Sequence, residues 1–342
     1  MSNRPRRNPS LLPVLRRELR TQLRGGRAGV LLSLFVGLLL LTLLLLYRAM
    51  PGRANFGAPL ATAEIGQALF IGLVLAMQTL IVFLAPAATL DVISREHEHD
   101  TLDMLLVSPL SPAGLLWGKL LGALAFVGLL LFASLPLFAL VLVFGGIGWL
   151  DAGRVFVTVV VSAVTGAMVG LFCSAVTRQT FTATMLCYAL LVSVIGGSLF
   201  AVSLRGAVST GPRVPPPTGA IVANPLSAIA STLTVITPPQ NNGSTLRPVT
   251  ILGLLARGSF ERGNGERLVS LPLYRATWVL YSAVTLGLYW VCTHLVRQRR
   301  RWRVMRSDVV IMGVVIAFVV IVWLTRAWWL QGLVSPLDAA TG

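Results

Sequence analysis

The chain has 342 residues, of which 55% are hydrophobic and only 12% are charged, and its mean hydropathy is +0.80. This composition excludes an ordinary soluble domain, because several uncharged stretches reach the roughly 20 residues that cross a bilayer. The net charge of +16 does not indicate nucleic-acid binding, because most arginines lie between apolar runs and there face anionic lipid headgroups. The three cysteines lie inside apolar runs without CxxC spacing and indicate neither disulfides nor a zinc site. We therefore predict an all-α polytopic membrane protein.

A basic leader, residues 1–27, precedes the first apolar run. Five leucines between positions 11 and 23 recur at helical spacing, while several arginines fall on other faces. This pattern predicts an amphipathic elbow helix on the inner leaflet, although a basic orientation signal without a packing role would need only the charges. The first run ends without a small-residue cleavage pattern, so we expect the first span to stay in the membrane. The arginines that define the elbow helix are Arg16, Arg17 and Arg20.

Charged residues bound seven apolar runs that predict about seven transmembrane helices. The leader and a basic linker at 297–308 are both expected in the cytoplasm, and seven spans with the N-terminus inside place them there together. The first five spans fall within 28–204 and the last two within 276–329, followed by a tail at 330–342. The apolar runs are 28–47, 65–90, 120–150, 155–177, 179–204, 276–296 and 309–325.

Residues 205–275 form a polar segment rich in proline, which we expect outside the membrane as a small cap or a mobile loop. Within it, residues 218–237 are uncharged and long enough to span. A crossing there would place the basic linker outside. The Asn224-Pro225 break and the serine and threonine content instead favour a re-entrant or surface-lying element, which at membrane depth must be packed on protein.

The stretch SREHEHDTLDMLL at 94–106 concentrates four of the chain's twelve acids and two of its three histidines. Two histidines fall short of the four ligands of a structural zinc site, so we predict no metal site. From Asp100 onward a short helix is favoured, because Asp100 can cap the N–H of Asp103 and Pro109 ends the helix. A stripe of leucines follows the helical period. The stripe consists of Leu102, Leu105 and Leu106.

The segment from 96 to 119 resembles the signature of ABC-2 type permeases, the membrane subunits of ATP-binding-cassette exporters. In that family an acidic pair, a Thr-Leu-acid-x-Leu-Leu helix and a Ser-Pro-Leu-Ser turn lead into a span that begins Gly-Lys. Asp100 stands where family members commonly have glycine. The leader and the outer element near Asn224-Pro225 are also similar, whereas a seventh span is an addition to the family pattern. The matching residues are Glu96, Glu98, Thr101, Leu102, Asp103, Leu105, Leu106, Ser108, Pro109, Leu110, Ser111, Gly118 and Lys119.

The resemblance implies a permease that forms half of a translocation pathway in the cytoplasmic membrane of a bacterium. Its partners would be a pair of ABC ATPase subunits, a second permease copy or a related permease, and membrane lipid. The cytoplasmic element 91–119 would contain the coupling helix, unless the acids merely form a solvated loop. ATPase docking would use Glu96, Glu98, Asp100, Thr101, Leu102, Asp103, Leu105 and Leu106.

The chain has no GxxxxGK[ST] motif, so we predict no enzyme activity, no catalytic residue and no directly bound cofactor. ATP and Mg²⁺ would bind to the partner ATPase. An ion-coupled secondary transporter or an intramembrane enzyme would need ionisable residues within its spans, and the seven runs contain only His294. A membrane scaffold without an ATPase partner is a further alternative. The transported substrate stays open among lipids, peptides, drugs and glycans.

Overall fold

A computed structural model describes residues 26–49, 59–98, 112–177, 179–208, 219–236, 255, 260–262, 268–270, 272–296 and 306–330. The helices in these ranges are α1 (Gly26–Arg48), α2 (Pro59–Ala87), α3 (Asp91–Glu98), α4 (Pro112–Val143), α5 (Trp149–Val176), α6 (Thr180–Val208), α7 (Gly219–Val222), α8 (Pro225–Ile236), α9 (Leu273–Val296), α10 (Arg306–Leu324) and α11 (Arg326–Leu330). Two three-residue strands, β1 (Phe260–Arg262) and β2 (Leu268–Ser270), pair antiparallel between α8 and α9.

Six of the described helices are long and apolar enough to cross a membrane, namely α1, α2, α4, α5, α6 and α9. The helical, polytopic membrane fold expected from the composition is confirmed. Helix α10 contains a shorter apolar segment, Val309–Leu324, at the seventh predicted run. Its crossing stays a prediction, as does the elbow helix of the leader, which lies outside the described residues. The small β1–β2 pair was not predicted.

The boundary between the third and fourth predicted spans differs from the observed one. The uncharged run 120–150 contains a turn at 144–148, where Gly145 and Gly146 have φ angles of +81° and +86°. Only glycine adopts such angles readily. Gly146 also lies so close to α2 that a Cβ atom there would meet the carbonyl oxygen of Ala63 at 2.7 Å. The chain reverses inside an apolar run because two glycines permit the turn.

Helix α5 is the centre of the bundle and contacts α2, α3, α4, α6, α8 and α9. A large apolar core fills the space between α1, α2 and α4, with Phe35, Leu39, Phe70 and Met77 almost completely buried. The outward faces of α1 and α10 carry large exposed apolar side chains, which a bilayer covers in a membrane protein. Burial is therefore concentrated around α2 and α5.

Helices α7 and α8 form a short element packed inside the bundle against α2, α5, α6 and α9. Twelve residues make α8 about 18 Å long, too short for the ~30 Å hydrocarbon core. The chain breaks between the two helices at Ala223 and Asn224, as the Asn224-Pro225 dipeptide predicts. Thr232 on α8 lies 3.4 Å from Thr158, which is about 13 Å along α5 from its first residue.

Side chains of the spans satisfy the backbone at this break. The carbonyl oxygen of Val222 accepts a hydrogen bond from Thr277, and that of Ala223 accepts one from the Tyr281 hydroxyl at 2.9 Å. Gln78 Nε2 donates to the carbonyl oxygen of Pro225 at 3.2 Å. A buried break in a membrane protein needs such partners, because no water reaches the freed carbonyl groups.

Asn224 caps the start of α8 and links it to α6. Its Oδ1 accepts hydrogen bonds from the N–H groups of Leu226 and Ser227, the orphan donors of the first turn of α8. Its Nδ2 donates to Ser198 Oγ on α6 at 2.7 Å. Asn224 is completely buried, so both halves of its carboxamide must be satisfied by protein.

Helix α10 packs only against α9 and α11 among the described elements with more than marginal contact. Helix α11 is fastened to α9 by Arg275, whose guanidinium carbon lies 4.9 Å from the centroid of the Trp328 ring. Arg275 Nη1 also donates to the Trp328 carbonyl oxygen at 3.3 Å. The C-terminal helices are thus held mainly at one end.

Candidate functional site

The candidate site is built around α3, the eight-residue helix that follows α2 and leads into the predicted coupling segment. Between the two helices, the Thr89 hydroxyl lies 2.8 Å from the carbonyl oxygen of Ala167 and 2.9 Å from that of Pro86. Gly170 on α5 lets this turn approach. A Cβ atom at Gly170 would meet Thr89 Oγ1 and would lie 2.6 Å from the Pro86 carbonyl oxygen. The start of α3 is therefore seated directly on the α5 backbone.

The N-terminus of α3 is capped by a residue from another helix. Ser174 Oγ, on the last turns of α5, accepts hydrogen bonds from Ile93 N at 3.0 Å and from Ser94 N at 2.9 Å. The Ile93 N–H belongs to the first turn of α3, where N–H groups lack intrahelical partners, and the Ser94 N–H follows it directly. Ser174 thus performs the role that an N-cap residue normally performs within one segment.

The C-terminal end of α3 caps α6 in turn. Glu98 Oε1 accepts a hydrogen bond of 2.7 Å from the backbone N–H of Thr180, the first residue of α6. A carboxylate is favoured there, because a helix N-terminus carries a partial positive charge. The hydroxyl groups of Ser94 and Thr180 lie 3.1 Å apart beside this cap. Helices α5, α3 and α6 are therefore joined by sequential capping: Ser174 of α5 caps α3, and Glu98 of α3 caps α6.

Helix α4 adds a third attachment. Lys119, only 6% exposed, donates from Nζ to the carbonyl oxygen of Val92 at 2.7 Å. Beneath α3, Ile93 packs into a small apolar cluster with Leu116 of α4 and Met168 of α5. The outer surface of α3 is polar and exposed, with an ion pair between Arg95 and Asp91. Such a surface pair contributes less than about 1 kcal/mol, so the inner contacts fix the helix.

The predicted docking residues are only partly within the described residues. Glu96 lies on the helical backbone of α3, and Glu98 ends it. The Glu98 carboxylate accepts the Thr180 N–H, and the predicted ATPase contacts of Glu96 and Glu98 stay predictions. The remaining predicted residues of the coupling segment and the elbow helix lie outside the described residues, and their roles stay predictions. They are Asp100, Thr101, Leu102, Asp103, Leu105, Leu106, Arg16, Arg17 and Arg20.

Sequence reasoning missed the residues that fasten α3. Ser94, Ser174 and Thr180 carry no motif, since isolated hydroxyl residues are common in transmembrane helices and often bond their own backbone. Lys119 was assigned only as part of a signature. Its position in an apolar helix was the available signal, because an intramembrane lysine is costly unless it finds a partner.

Comparison with known sequences decides the family. The family described as "ABC-2 family transporter protein" matches residues 12–251, which is more than half of the chain. The chain belongs to the ABC-2 transporter family. The match includes α3, the segment after it and the α7–α8 element, and it ends before α9. No curated protein sequence matches the chain.

Membership defines the general role of this ABC-2 protein. It is a transmembrane component of a transporter, and the family in general works with an ABC ATPase partner. The signature recognised in the sequence lies within the matched residues. The sequential capping around α3 therefore lies at the place in the chain where an ATPase contact was predicted.

Proposed function

We propose that this ABC-2 permease forms half of the translocation pathway of an exporter, together with a second permease copy or a related permease. A separate pair of ABC ATPase subunits binds ATP and Mg²⁺ and docks on α3 and the helix that follows it. The observation that carries the proposal is the sequential capping, which joins α3 to both α5 and α6 by hydrogen bonds rather than by loops.

The geometry supports transmission of force from α3 into the bundle. Ser174 ties its N-terminus to α5, Glu98 ties its C-terminus to α6, and Lys119 ties its first turn to α4. A displacement of α3 must therefore move three helices or break these bonds. The buried donors and acceptors would then lose their partners, which costs about 1–3 kcal/mol for each group.

The docking surface itself combines leucines and acids. Leu102, Leu105 and Leu106 would lie on a cytoplasmic helix with no lipid to cover them, and their burial by an ATPase would contribute about 1.5–3 kcal/mol each. Acidic side chains on an inner face dominated by arginine would give the contact its specificity. In the proposed complex, the α3 end of the bundle and the N-terminus would lie in the cytoplasm of a bacterium.

Co-purification tests the proposal. Tagged permease is expressed in its native host, and the ABC ATPase that co-purifies is identified and reconstituted with it. Changing Leu102 and Leu105 together to serine should weaken ATPase binding and reduce ATP hydrolysis in the complex, since both would remove apolar area from the contact. Met104→Ser, in the same segment but off the leucine stripe, is the matched control. Monodispersity in detergent reports folding.

Two results would contradict the proposal. Failure of any ABC ATPase to co-purify with the wild-type permease would remove the partner. Normal ATPase binding and hydrolysis in the double leucine variant would remove the docking site and leave the family membership intact.

A further inference from the structure

An apolar cavity of about 310 Å³ lies between α4 and α5, at the end of the bundle opposite α3. Its floor is formed by Phe70, Phe138 and Val155, none of which is more than 5% exposed. The Phe138 ring meets Phe70 and Phe156 edge-on, with centroid distances of 5.8 and 6.0 Å. Edge-to-face contacts between aromatic rings are favourable and fix their orientation. The floor is therefore a preformed surface.

The mouth of the cavity opens sideways from the two helices. Ala139 on α4 and Gly153 on α5 are both exposed there, and a Cβ atom added at Gly153 would have no atom within 4 Å. These small residues leave a slot between the helices. Helices α4 and α5 are long and apolar enough to span a membrane, so the slot opens toward the bilayer, and the Asp151–Arg154 ion pair beside Gly153 indicates the level of the headgroups.

Trp149 stands beside the slot. It lies four residues before Gly153 on α5, hence on the same face, and it is 81% exposed. Tryptophan is enriched at the level of lipid headgroups, where its ring is apolar and its N–H is hydrated. The cavity thus begins about one helical turn below the expected position of the headgroups.

The chemistry of the lining selects an apolar occupant. Every lining residue is apolar, so water would find no hydrogen-bond partners inside. An empty cavity would forfeit dispersion contacts for its aromatic floor. The volume far exceeds the ~10–15 Å³ that a cavity needs to hold one water molecule, so a larger occupant fits. Hydrocarbon is the available material that fits these conditions.

We propose that this groove holds one acyl chain of a phospholipid from the leaflet opposite the α3 end, with the headgroup beside Trp149. A second permease copy is a weaker occupant. Although Ala139 and Gly153 are small, the large apolar side chains that flank the slot, including Leu140 at 54% and Val143 at 86% exposure, oppose the close approach of a second helix that small-residue interfaces allow. The proposal requires only that the protein spans the membrane and does not depend on ATPase docking.

Photo-crosslinking in nanodiscs tests the site. The purified full chain is reconstituted in phosphatidylcholine containing a small fraction of lipid with a diazirine on its acyl chain, and crosslinked peptides are mapped by mass spectrometry. Crosslinks should concentrate in 135–142 and 152–156. Gly153→Leu should fill the slot and reduce them about tenfold, the change that corresponds to about 1.4 kcal/mol. Gly287→Leu, at an exposed glycine of α9 that also has open space around it, should leave them unchanged.

Two outcomes would overturn the inference. Crosslinks spread evenly over the exposed faces of α1, α4 and α10, unaffected by Gly153→Leu, would show ordinary annular lipid. Efficient thiol crosslinking between two copies of a Gly153→Cys variant, without lipid labelling at the slot, would show that a second copy covers it. The mapping on the wild-type chain gives an answer even if a variant fails to fold.

Discussion

The two short helices α3 and α8 are held in opposite ways. Every residue of α8 from Ser227 to Thr234 is buried, and Asn224 of its own segment caps its N-terminus. Helix α3 is buried on one side only, exposes Arg95 and Glu98, and receives its cap from Ser174 on another helix. An element enclosed on all sides acts as part of the core. One that is fastened on one side and free on the other can both contact a partner and move the helices beneath it.

The largest expected effect comes from disrupting the contact between the turn before α3 and the α5 backbone. Gly170→Leu would place side-chain atoms where the Pro86 carbonyl oxygen now lies within 2.6 Å of the Cβ position. Overpacking of backbone against backbone has little room to relax, so we expect a loss of about 3 kcal/mol. Thermal unfolding in detergent should show it. Gly128→Leu on α4, where a Cβ atom has no neighbour within 4 Å, should leave the unfolding midpoint unchanged.

If Gly170→Leu unfolds at the wild-type temperature, the turn between α2 and α3 does not pack on α5 as described. Loss of stability in both variants would instead reflect a general intolerance of leucine at helical glycines. Only a large loss of stability in Gly170→Leu, with none in Gly128→Leu, supports the packing of this turn on α5.

Asn224→Ala tests the enclosed element and should have the next largest effect. The substitution leaves the N–H groups of Leu226 and Ser227 without their acceptor and removes the bond to Ser198, all in a buried environment. Loss of a helix cap costs about 0.5–2 kcal/mol. Ser198→Ala removes only one of the three bonds and should cost less. Equal unfolding midpoints for Asn224→Ala and the wild type would contradict the capping role of Asn224.

The periodicity and length of the apolar runs were sufficient to predict the features that depend on local chemistry, namely the spanning helices and the break before α8. Uncharged runs mark the spans because a charge in the hydrocarbon is costly, and the spans are helical because each must satisfy its backbone internally. The Asn224-Pro225 dipeptide marks the break before α8, because Asn favours helix caps and Pro the first helical turn. The turn at 144–148 carried a usable signal in Gly145-Gly146, which the absence of charges concealed.

Features that depend on distant partners could not be predicted. The α3 sequence has a short apolar pattern, and the acidic stretch around it favoured a helix only from Asp100. Helix α3 forms because Ser174, far away in the sequence, satisfies its first N–H groups. The role of Glu98 likewise depends on the arrival of α6 beside it. Neither contact has a signature within the local segment.

The smallest expected effects on stability come from the sequential capping itself. These variants distinguish the stability of α3 from its coupling to the ATPase. Ser174→Ala removes the acceptor that the N–H groups of Ile93 and Ser94 share in a buried place, so we expect a loss of about 0.5–1.5 kcal/mol. Glu98→Gln keeps an acceptor for the Thr180 N–H but removes the charge. Because Glu98 is exposed, its stability effect should stay below about 1 kcal/mol and shrink with added salt.

Coupling should respond differently from stability in these two variants. If α3 drives α6 through Glu98, Glu98→Gln should reduce the stimulation of ATP hydrolysis by the permease while ATPase binding stays normal. Glu98→Asp should be impaired as well, because its side chain is one methylene shorter and cannot keep the 2.7 Å bond to the Thr180 N–H without a shift of the helices. The measurement is ATPase binding and ATP hydrolysis by the same reconstituted complexes. A Glu98→Gln variant with weakened ATPase binding would instead place this carboxylate in the docking surface. Full stimulation together with normal binding would show that Glu98 has neither role, and would leave Ser174 and Lys119 as the attachments of α3.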